Sequence, residues 1–414
     1  MTSTTRQTGL TPLPLFLFLM FLTSTANMAD RQVIGIVAEQ IKLEFGLSDT
    51  MLSLISGTAF ALVYPPLGLP LAWLADRRNR RNLLVGCLSF WSAATVACGF
   101  APGFWTLFLA RMGVAVGEAG YAPCTHSLIA DYTSAERRAR AFSVLLLGIS
   151  AGGLFASVVG GFAAEHYGWR AAFVAVGLPG FLTAIAILWF VKEPLRQQAH
   201  VAPPPALQTL KRLLSTPAFT FCITGSAVHL MVTYAKAAWA VAFFMRVHGL
   251  SVSEAAILVG SVGAVAGAIG TVAGGIIGDR LAVIDRRWLA WWPAITVLLG
   301  FAVGAPAFLT GNLLFAVAGV SVAVFLNALY QPSTYALVQT VAQPRERATA
   351  AALMIFIQNI TGLGLGPLLT GLLSDRLAPV YGVQSLGYAL AAVFGLNIVA
   401  AVLYVFSGRA FGRG

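Results

Sequence analysis

The second long apolar run of the sequence ends in a basic stretch that reads Ala72-Trp73-Leu74-Ala75-Asp76-Arg77-Arg78-Asn79-Arg80-Arg81. A new apolar run, residues 82–101, follows at once. Because a bilayer core about 30 Å thick needs roughly 20 apolar residues of helix, we predict that this stretch is a short connection at a membrane surface between two spanning helices. The rest of the chain repeats this alternation of long apolar runs and short charged connections.

The composition indicates a membrane protein. Of the 414 residues, 58% are hydrophobic and only 10% are charged, whereas a soluble domain carries roughly 25% charged residues. This composition excludes a soluble enzyme, a nucleic-acid-binding protein and a disordered chain. The four cysteines lie within apolar runs and lack the spacing of a metal site or a disulfide framework. We therefore expect reduced packing cysteines, no metal and no cofactor.

The apolar runs are continuous and show no period-two alternation, so they predict helices rather than the strands of a membrane barrel. We predict an all-α integral membrane protein with twelve transmembrane helices, at residues 12–38, 50–75, 82–101, 103–131, 138–164, 170–191, 217–246, 252–278, 288–309, 311–340, 346–373 and 380–408.

The distribution of basic residues predicts the orientation. One set of alternate connections, with the two terminal segments, carries 19 of the 26 Lys and Arg residues, and the opposite set carries only Lys42, Arg170, Arg246 and Arg376. Cytoplasmic connections carry the excess of basic residues, so both termini are expected in the cytoplasm. The first apolar run continues into Asp30-Arg31 and is interpreted as a retained span. We expect a multi-pass protein of a bacterial inner membrane.

The longest polar connection divides the chain into halves that repeat. It contains the Pro203-Pro204-Pro205 run, which is typical of a stiff, solvated linker. Ala75-Asp76-Arg77 follows the second span, and Gly278-Asp279-Arg280 follows the eighth. A repeat at half the chain length is typical of transporters built from two bundles. We predict two pseudo-symmetric six-helix bundles, residues 1–191 and 217–414, joined by a cytoplasmic linker at 192–216.

Several motifs resemble those of the major facilitator superfamily. Residues 72–81 are similar to its cytoplasmic loop motif, G-x-L-A-D-R-x-G-R-K, with Ala72 and Asn79 where glycines are usual. Arg111, followed by Gly113 and Gly117, resembles the fourth-helix motif. A narrower resemblance, to the Spinster branch, rests on Asn27-x-x-Asp30-Arg31, Gly117-Glu118-Ala119, Glu136-Arg137-Arg138 and Gly168-Trp169-Arg170.

The resemblance implies the major facilitator fold and a secondary transporter of lysophospholipids or sphingosine-phosphate-like lipids, coupled to protons. It implies an amphipathic small-molecule substrate and membrane lipids as partners, with the proton as coupling ion. We expect a monomer that binds no nucleic acid. An exporter of amphipathic drugs, or of other small organic anions, is the alternative within the same superfamily.

Four charged residues of the first half lie deep within predicted spans: Asp30 and Arg31 in the first, Arg111 and Glu118 in the fourth. A charge at mid-bilayer costs at least ~2.5–3.5 kcal/mol, so each is expected to have a partner or a function. At a rise of about 1.5 Å per residue, Asp30 and Arg111 lie at similar depths, about 13 and 12 Å below the periplasmic face. Arg111 and Glu118 are two turns apart and share a helix face.

These charges predict a coupling mechanism. We expect Asp30 to pair with an arginine, and loss of that pairing to favour proton uptake. Glu118 is expected in apolar surroundings without an adjacent base. An anionic headgroup would compete with the carboxylates for Arg31 or Arg111, which links proton uptake to substrate binding. The resemblance implies the same roles, with Asp30 and Glu118 as proton sites. The alternative is a buried ion-pair network that only fixes helix packing.

In the second half, Lys236 lies about 15 Å deep in the seventh predicted span. Its ammonium group could bind a phosphate, or it could reach toward a lipid headgroup at the surface. Other polar side chains are candidates for substrate or charge contacts, and each alternatively forms a helix–helix hydrogen bond. These residues are Tyr234, Trp239, Asn327, Tyr330 and Gln331.

Charged residues at the cytoplasmic ends of helices predict a gate. We expect an interdomain latch that holds the two bundles together in the outward-facing state. The alternative is that these charges only set the positive-inside topology. The residues of this predicted latch are Asp76, Arg77, Arg80, Arg137 and Asp279.

Other classes of membrane protein fit poorly. An enzyme acting on lipid needs a nucleophile–base pair or a metal cluster, and the five histidines are scattered without ligand spacing. We therefore predict that the chain is not an enzyme. A channel and an ATP-driven pump are disfavoured, because the sequence has neither a filter repeat nor a G-x-x-x-x-G-K-[ST] loop.

Overall fold

A computed structural model describes residues 10–194, 206–343 and 345–411. Every regular element within these ranges is helical, as the absence of period-two patterning predicts. The α-helices, numbered in chain order, are α1 (Leu13–Phe45), α2 (Asp49–Ser53), α3 (Ala59–Ala61), α4 (Tyr64–Arg77), α5 (Arg80–Cys98), α6 (Phe104–Glu118), α7 (Tyr121–Tyr132), α8 (Ala135–Phe155), α9 (Gly161–Tyr167), α10 (Trp169–Phe190), α11 (Ala206–Leu214), α12 (Pro217–His248), α13 (Val252–Ile284), α14 (Trp288–Ala307), α15 (Leu313–Ala328), α16 (Gln331–Val341), α17 (Arg347–Tyr381), α18 (Ser385–Phe394) and α19 (Leu396–Phe411).

Several predicted spans consist of two or more of these helices in succession. A π-helical turn at Leu54–Thr58 continues α2 into α3, and another at Ala156–Gly160 continues α8 into α9. The predicted span at 103–131 is divided by a turn at Ala119 and Gly120, between α6 and α7. Each of the twelve predicted spans is helical over most of its length.

Among the described residues, nine helices or helix runs are long and apolar enough to cross a membrane. The last of them, Thr349–Phe411, contains both of the final predicted spans. The predicted spans at 82–101 and 103–131 are not among the nine.

Contacts between residues divide the chain into two compact units, residues 1–33 with 63–200, and residues 34–62 with 201–414. We call them unit 1 and unit 2. The boundary runs through the middle of the continuous helix α1. The bundles predicted from chain order, 1–191 and 217–414, stay a prediction, and residues 195–205 of the predicted linker lie outside the described residues.

Small residues bring helices into backbone contact within unit 2. A Cβ atom added at Gly274 of α13 would lie 2.3 Å from the carbonyl oxygen of Leu329. One added at Gly267, two turns earlier on the same helix, would have nothing within 4 Å. Membrane helices pack through such small residues because lipid supplies little hydrophobic driving force between them.

The different surroundings of Gly274 and Gly267 predict different effects of alanine on stability. Gly274→Ala is expected to destabilise the protein by about 1–3 kcal/mol, because the helices must separate to admit the methyl group. Gly267→Ala should be neutral or stabilising by up to about 1 kcal/mol, because alanine has the higher helix propensity. Unfolding of the purified variants in detergent checks this. Equal stability of the two variants would contradict the assigned contact.

Candidate functional site

The four charges predicted in the first half meet inside unit 1. Asp30 and Arg31 are neighbours on α1, and Arg111 and Glu118 lie two turns apart on α6. Asp30 and Glu118 are fully buried, Arg111 is 1% exposed, and the Arg31 side chain is 19% exposed. The predicted meeting of the first and fourth spans is therefore confirmed.

An ion pair forms between Arg31 and Glu118, whereas the sequence predicted one between Asp30 and an arginine. Arg31 Nε donates to Glu118 Oε2 at 2.6 Å, and its guanidinium also lies 4.4 Å from the centre of the Tyr64 ring. The expectation that Glu118 lacks an adjacent base was wrong. Neighbouring residues on a helix point about 100° apart, and the long arginine side chain spans that difference to reach α6.

Arg111 contacts Asp30 through the backbone. Its Nη1 atom donates to the carbonyl oxygen of Asp30 at 3.0 Å. Neither carboxyl oxygen of Asp30 has a hydrogen-bond partner within the described part of the chain. The predicted pairing of Asp30 with an arginine thus involves no side-chain hydrogen bond among the described residues, although Arg111 and Glu118 are close enough to act on Asp30 electrostatically.

Polar groups of α5 border the Asp30 carboxyl group. The side chains of Trp91 and Thr95 interact with it, yet Trp91 Nε1 and Thr95 Oγ1 form no hydrogen bond with good geometry to any described residue. Buried polar atoms are hydrogen-bonded in the great majority of cases, so a group of exceptions at one place needs an explanation. Together with Asp30, these atoms form a buried polar group between α1 and α5.

A second polar contact lies beside Glu118. Asn27, one turn before Arg31 on α1, interacts with Glu118. Asn27 Nδ2 and Glu118 Oε1 are both buried without a well-formed hydrogen bond to a described residue. Glu118 is thus bound to Arg31 through one oxygen, and its other oxygen has no hydrogen bond to a described residue.

Lys236 lies in a crevice of unit 2. Its side chain is partly buried, and its ammonium group has no ion pair or hydrogen bond among the described residues. The remaining residues of the crevice come from α12, α13 and α15 and are all apolar: Ala240, Phe244, Leu258, Val259, Val262, Val317, Val320 and Val324. The ammonium group of Lys236 therefore lies among apolar side chains of three helices.

The other second-half candidates differ in their surroundings. Trp239 is buried, and its Nε1 donates to the carbonyl oxygen of Pro367 at 3.2 Å, which joins α12 to α17. Tyr330 is buried with its ring centre 4.3 Å from that of His229. Asn327 packs against Gly300. Tyr234 is partly buried and Gln331 is exposed. Their predicted role in substrate contacts stays a prediction.

Comparison with known proteins identifies the family. A sequence model described as "Major Facilitator Superfamily" matches residues 20–363. The chain belongs to this superfamily. It is therefore a multi-pass membrane transporter and not an enzyme, as predicted.

Among relatives, the chain is 30% identical to protein spinster homolog 1 of Rattus norvegicus, over 91% of this chain and 76% of that protein. It is 31% identical to an MFS-type efflux pump of Mycolicibacterium smegmatis, over 95% and 92% of the two chains. A crystal structure of a bacterial homolog to the human lysosomal transporter Spinster, inward-facing and unoccupied, superposes with a TM-score of 0.87. It has 29% identity and covers 97% of this chain and 98% of that chain. The predicted likeness to Spinster proteins is confirmed.

The superfamily loop motif at residues 72–81 is anchored through Arg80. This arginine is buried in unit 1, where its Nη1 donates to Asp131 Oδ2 at 2.5 Å and its Nε to Glu193 Oε1 at 2.8 Å. Asp76, Arg77, Arg137 and Asp279, the other residues of the predicted cytoplasmic latch, are exposed. Among the described residues, Asp76 and Asp279 have no ion pair within 4 Å. The latch in the opposite state stays a prediction.

Several of these contacts are not indicated by the sequence. They are those of Trp91, Thr95 and Tyr64 with the site, and those of Arg80 with Asp131 and Glu193. Each contact joins residues far apart in the chain, so no spacing within one sequence indicates it. A tryptophan and a threonine one turn apart in an apolar span are ordinary packing residues by pattern alone.

Proposed function

We propose that this superfamily member is a secondary active transporter of an amphipathic, lipid-like substrate, a lysophospholipid or a sphingosine-phosphate-like molecule, which it moves by alternating access. Transport is coupled to protons through Asp30 and Glu118. The observation that carries the proposal is the fully buried Asp30 carboxyl group, which has no hydrogen-bond partner among the described residues yet lies beside Arg111 and the Arg31–Glu118 pair.

Burial supports a proton site at Asp30. An isolated carboxylate is far more costly to bury than a neutral carboxylic acid. A change in its distance to arginine, or entry of water, reverses that preference. Glu118 can exchange a proton in the same way when Arg31 leaves it. An anionic headgroup that binds Arg31 would remove this partner, so substrate binding and proton uptake share one arginine.

Positive groups at membrane depth support an anionic or zwitterionic headgroup. Arg31 and Arg111 in unit 1 carry the planar fork that binds phosphate with two hydrogen bonds. In unit 2, Lys236 adds an ammonium group among apolar side chains. The relatives named spinster homolog 1 favour a lipid-related substrate, and the relation to an efflux pump favours an exporter of amphipathic drugs as the second candidate.

The orientation of the chain in the membrane and the type of membrane are part of the same proposal. The bias of basic residues supports cytoplasmic termini and a bacterial inner membrane. The protein acts as a monomer, and Asp76 and Asp279 contribute to the cytoplasmic latch when the transport site faces the periplasm.

Uptake by proteoliposomes tests the substrate class. A labelled lysophospholipid is expected to enter with saturable kinetics, at least about tenfold faster than a lipophilic cation at equal concentration. Lys236→Gln should raise the half-saturating lysophospholipid concentration about tenfold, because a charge-assisted contact is lost. Lys211→Gln, which changes an exposed lysine of α11, is the control. Preferential transport of the cation would replace this proposal with the drug exporter.

A further inference from the structure

A dense group of charges lies near the C-terminal end of α1, within unit 2. Its members come from the ends of α1, α12 and α17 and from the start of α2. We call it the Arg246 cluster, and it consists of Glu39, Lys42, Asp49, Arg246, Ser374 and Asp375.

Arg246 is the centre of the cluster. Its Nε donates to Glu39 Oε2 at 2.6 Å. Its two terminal nitrogens each donate to one oxygen of Asp49 at 2.8 Å. Only 11% of the Arg246 side chain and 3% of the Asp49 side chain are exposed. Bidentate guanidinium–carboxylate contacts are among the strongest polar contacts in proteins, and burial shields this one from solvent.

The second half of the chain also binds the start of α2. Asp375 of α17 accepts hydrogen bonds from the backbone N–H groups of Asp49 and Thr50, at 2.9 and 2.8 Å, and from Thr50 Oγ1 at 2.6 Å. Ser374 Oγ donates to Asp49 Oδ2 at 2.6 Å. The first N–H groups of a helix have no partner within the helix, and here another helix supplies it.

The cluster joins segments that chain order assigns to different halves. Glu39, Lys42 and Asp49 lie in the connection between the first two predicted spans. Arg246 ends the seventh predicted span, and Ser374 and Asp375 directly follow the eleventh. By their contacts, however, residues 34–62 belong to the same compact unit as the second half of the chain. In transporters of two repeats, one repeat rocks against the other. Contacts that join the halves at one membrane face must therefore break before that face opens.

We propose that the Arg246 cluster is an ionic latch that keeps the ends of the first two spans closed against the second half. With the proposed topology, this is the periplasmic face. The latch breaks when that face opens and forms again when it closes. The inference requires alternating access but neither the proposed substrate nor proton coupling.

Distance measurements between two spin labels test the latch without substrate or a pH gradient. Leu43→Cys on α1 and Val383→Cys after α17 are suitable sites, because both side chains are well exposed. The background lacks the four native cysteines, which are all buried. Arg246→Gln is expected to increase the ratio of the long-distance to the short-distance population at least about tenfold. Glu39→Gln, which removes one contact of Arg246, should give a smaller shift in the same direction.

The control variant is Arg376→Gln. It changes an exposed arginine next to Asp375 that has no ion pair among the described residues, and its distance distribution should match that of the parent. Elution as a single species and an unchanged fold by circular dichroism establish that each variant is folded. If Arg246→Gln and Glu39→Gln give the same distribution as Arg376→Gln, or a shift toward the short distance, the latch is refuted.

Discussion

Replacement of Asp30 by asparagine is expected to abolish substrate accumulation driven by a pH gradient. The amide preserves the size of the side chain but cannot take up and release a proton. One pH unit corresponds to a tenfold concentration ratio, so a gradient of about two units drives up to roughly hundredfold accumulation per coupled proton. We expect the parent to approach this ratio and Asp30→Asn to stop at equal concentrations inside and outside.

Proteoliposomes loaded at one pH and diluted into another provide the measurement. Counterflow of labelled against unlabelled substrate, without a gradient, should persist in Asp30→Asn, because exchange requires the binding site but not net proton movement. Asp285→Asn changes a partly exposed carboxylate in the connection before α14 and should accumulate substrate like the parent. Glu118→Gln tests the second proposed site in the same way. Undiminished accumulation in both Asp30→Asn and Glu118→Gln would refute proton coupling through these residues.

Removal of Arg31 alone is expected to destabilise the protein strongly. Arg31→Leu leaves Glu118, whose side chain is fully buried, without the cation that compensates its charge. Breaking a buried ion pair from one side typically costs about 3–5 kcal/mol. Replacing both partners by leucine should recover most of this loss, because no uncompensated charge remains.

Reversible unfolding in mixed detergent micelles measures these free energies as a double-mutant cycle of Arg31→Leu, Glu118→Leu and the double variant. Tyr64→Leu serves as the control for the loss of the ring that lies under the guanidinium. A double variant that is no more stable than Arg31→Leu would show that the charge of Glu118 is not the cause.

Comparison of the expected and observed site shows which kind of information the sequence lacks. The spacing of Arg111 and Glu118 correctly predicted that they share a helix face. The similar depths of Asp30 and Arg111 correctly predicted that the first and fourth spans meet. The expectation that Glu118 has no adjacent base was wrong, because its partner depends on the rotation of α1 about its axis and on the reach of Arg31. A shift of about 100° between neighbouring residues decides whether Asp30 or Arg31 faces a given group of α6.

The Arg246 cluster illustrates the same limit at longer range. In the sequence, Arg246 is recognisable only as one of four basic residues on the side opposite the termini. Its partners, Glu39 and Asp49, lie about 200 residues earlier in the chain. A single sequence does not indicate which distant helix ends are in contact.

The sequence by itself determined that this chain crosses a membrane many times as helices and is a transporter of the major facilitator superfamily. Both conclusions follow from local properties: apolar runs long enough for the bilayer, and short motifs read within one connection or one helix face. Only the tertiary structure decided that Glu118 pairs with Arg31, that Arg111 binds the backbone of Asp30, and that Asp375 binds the start of α2. These contacts depend on helix rotation and on the packing of distant segments, which no local pattern specifies.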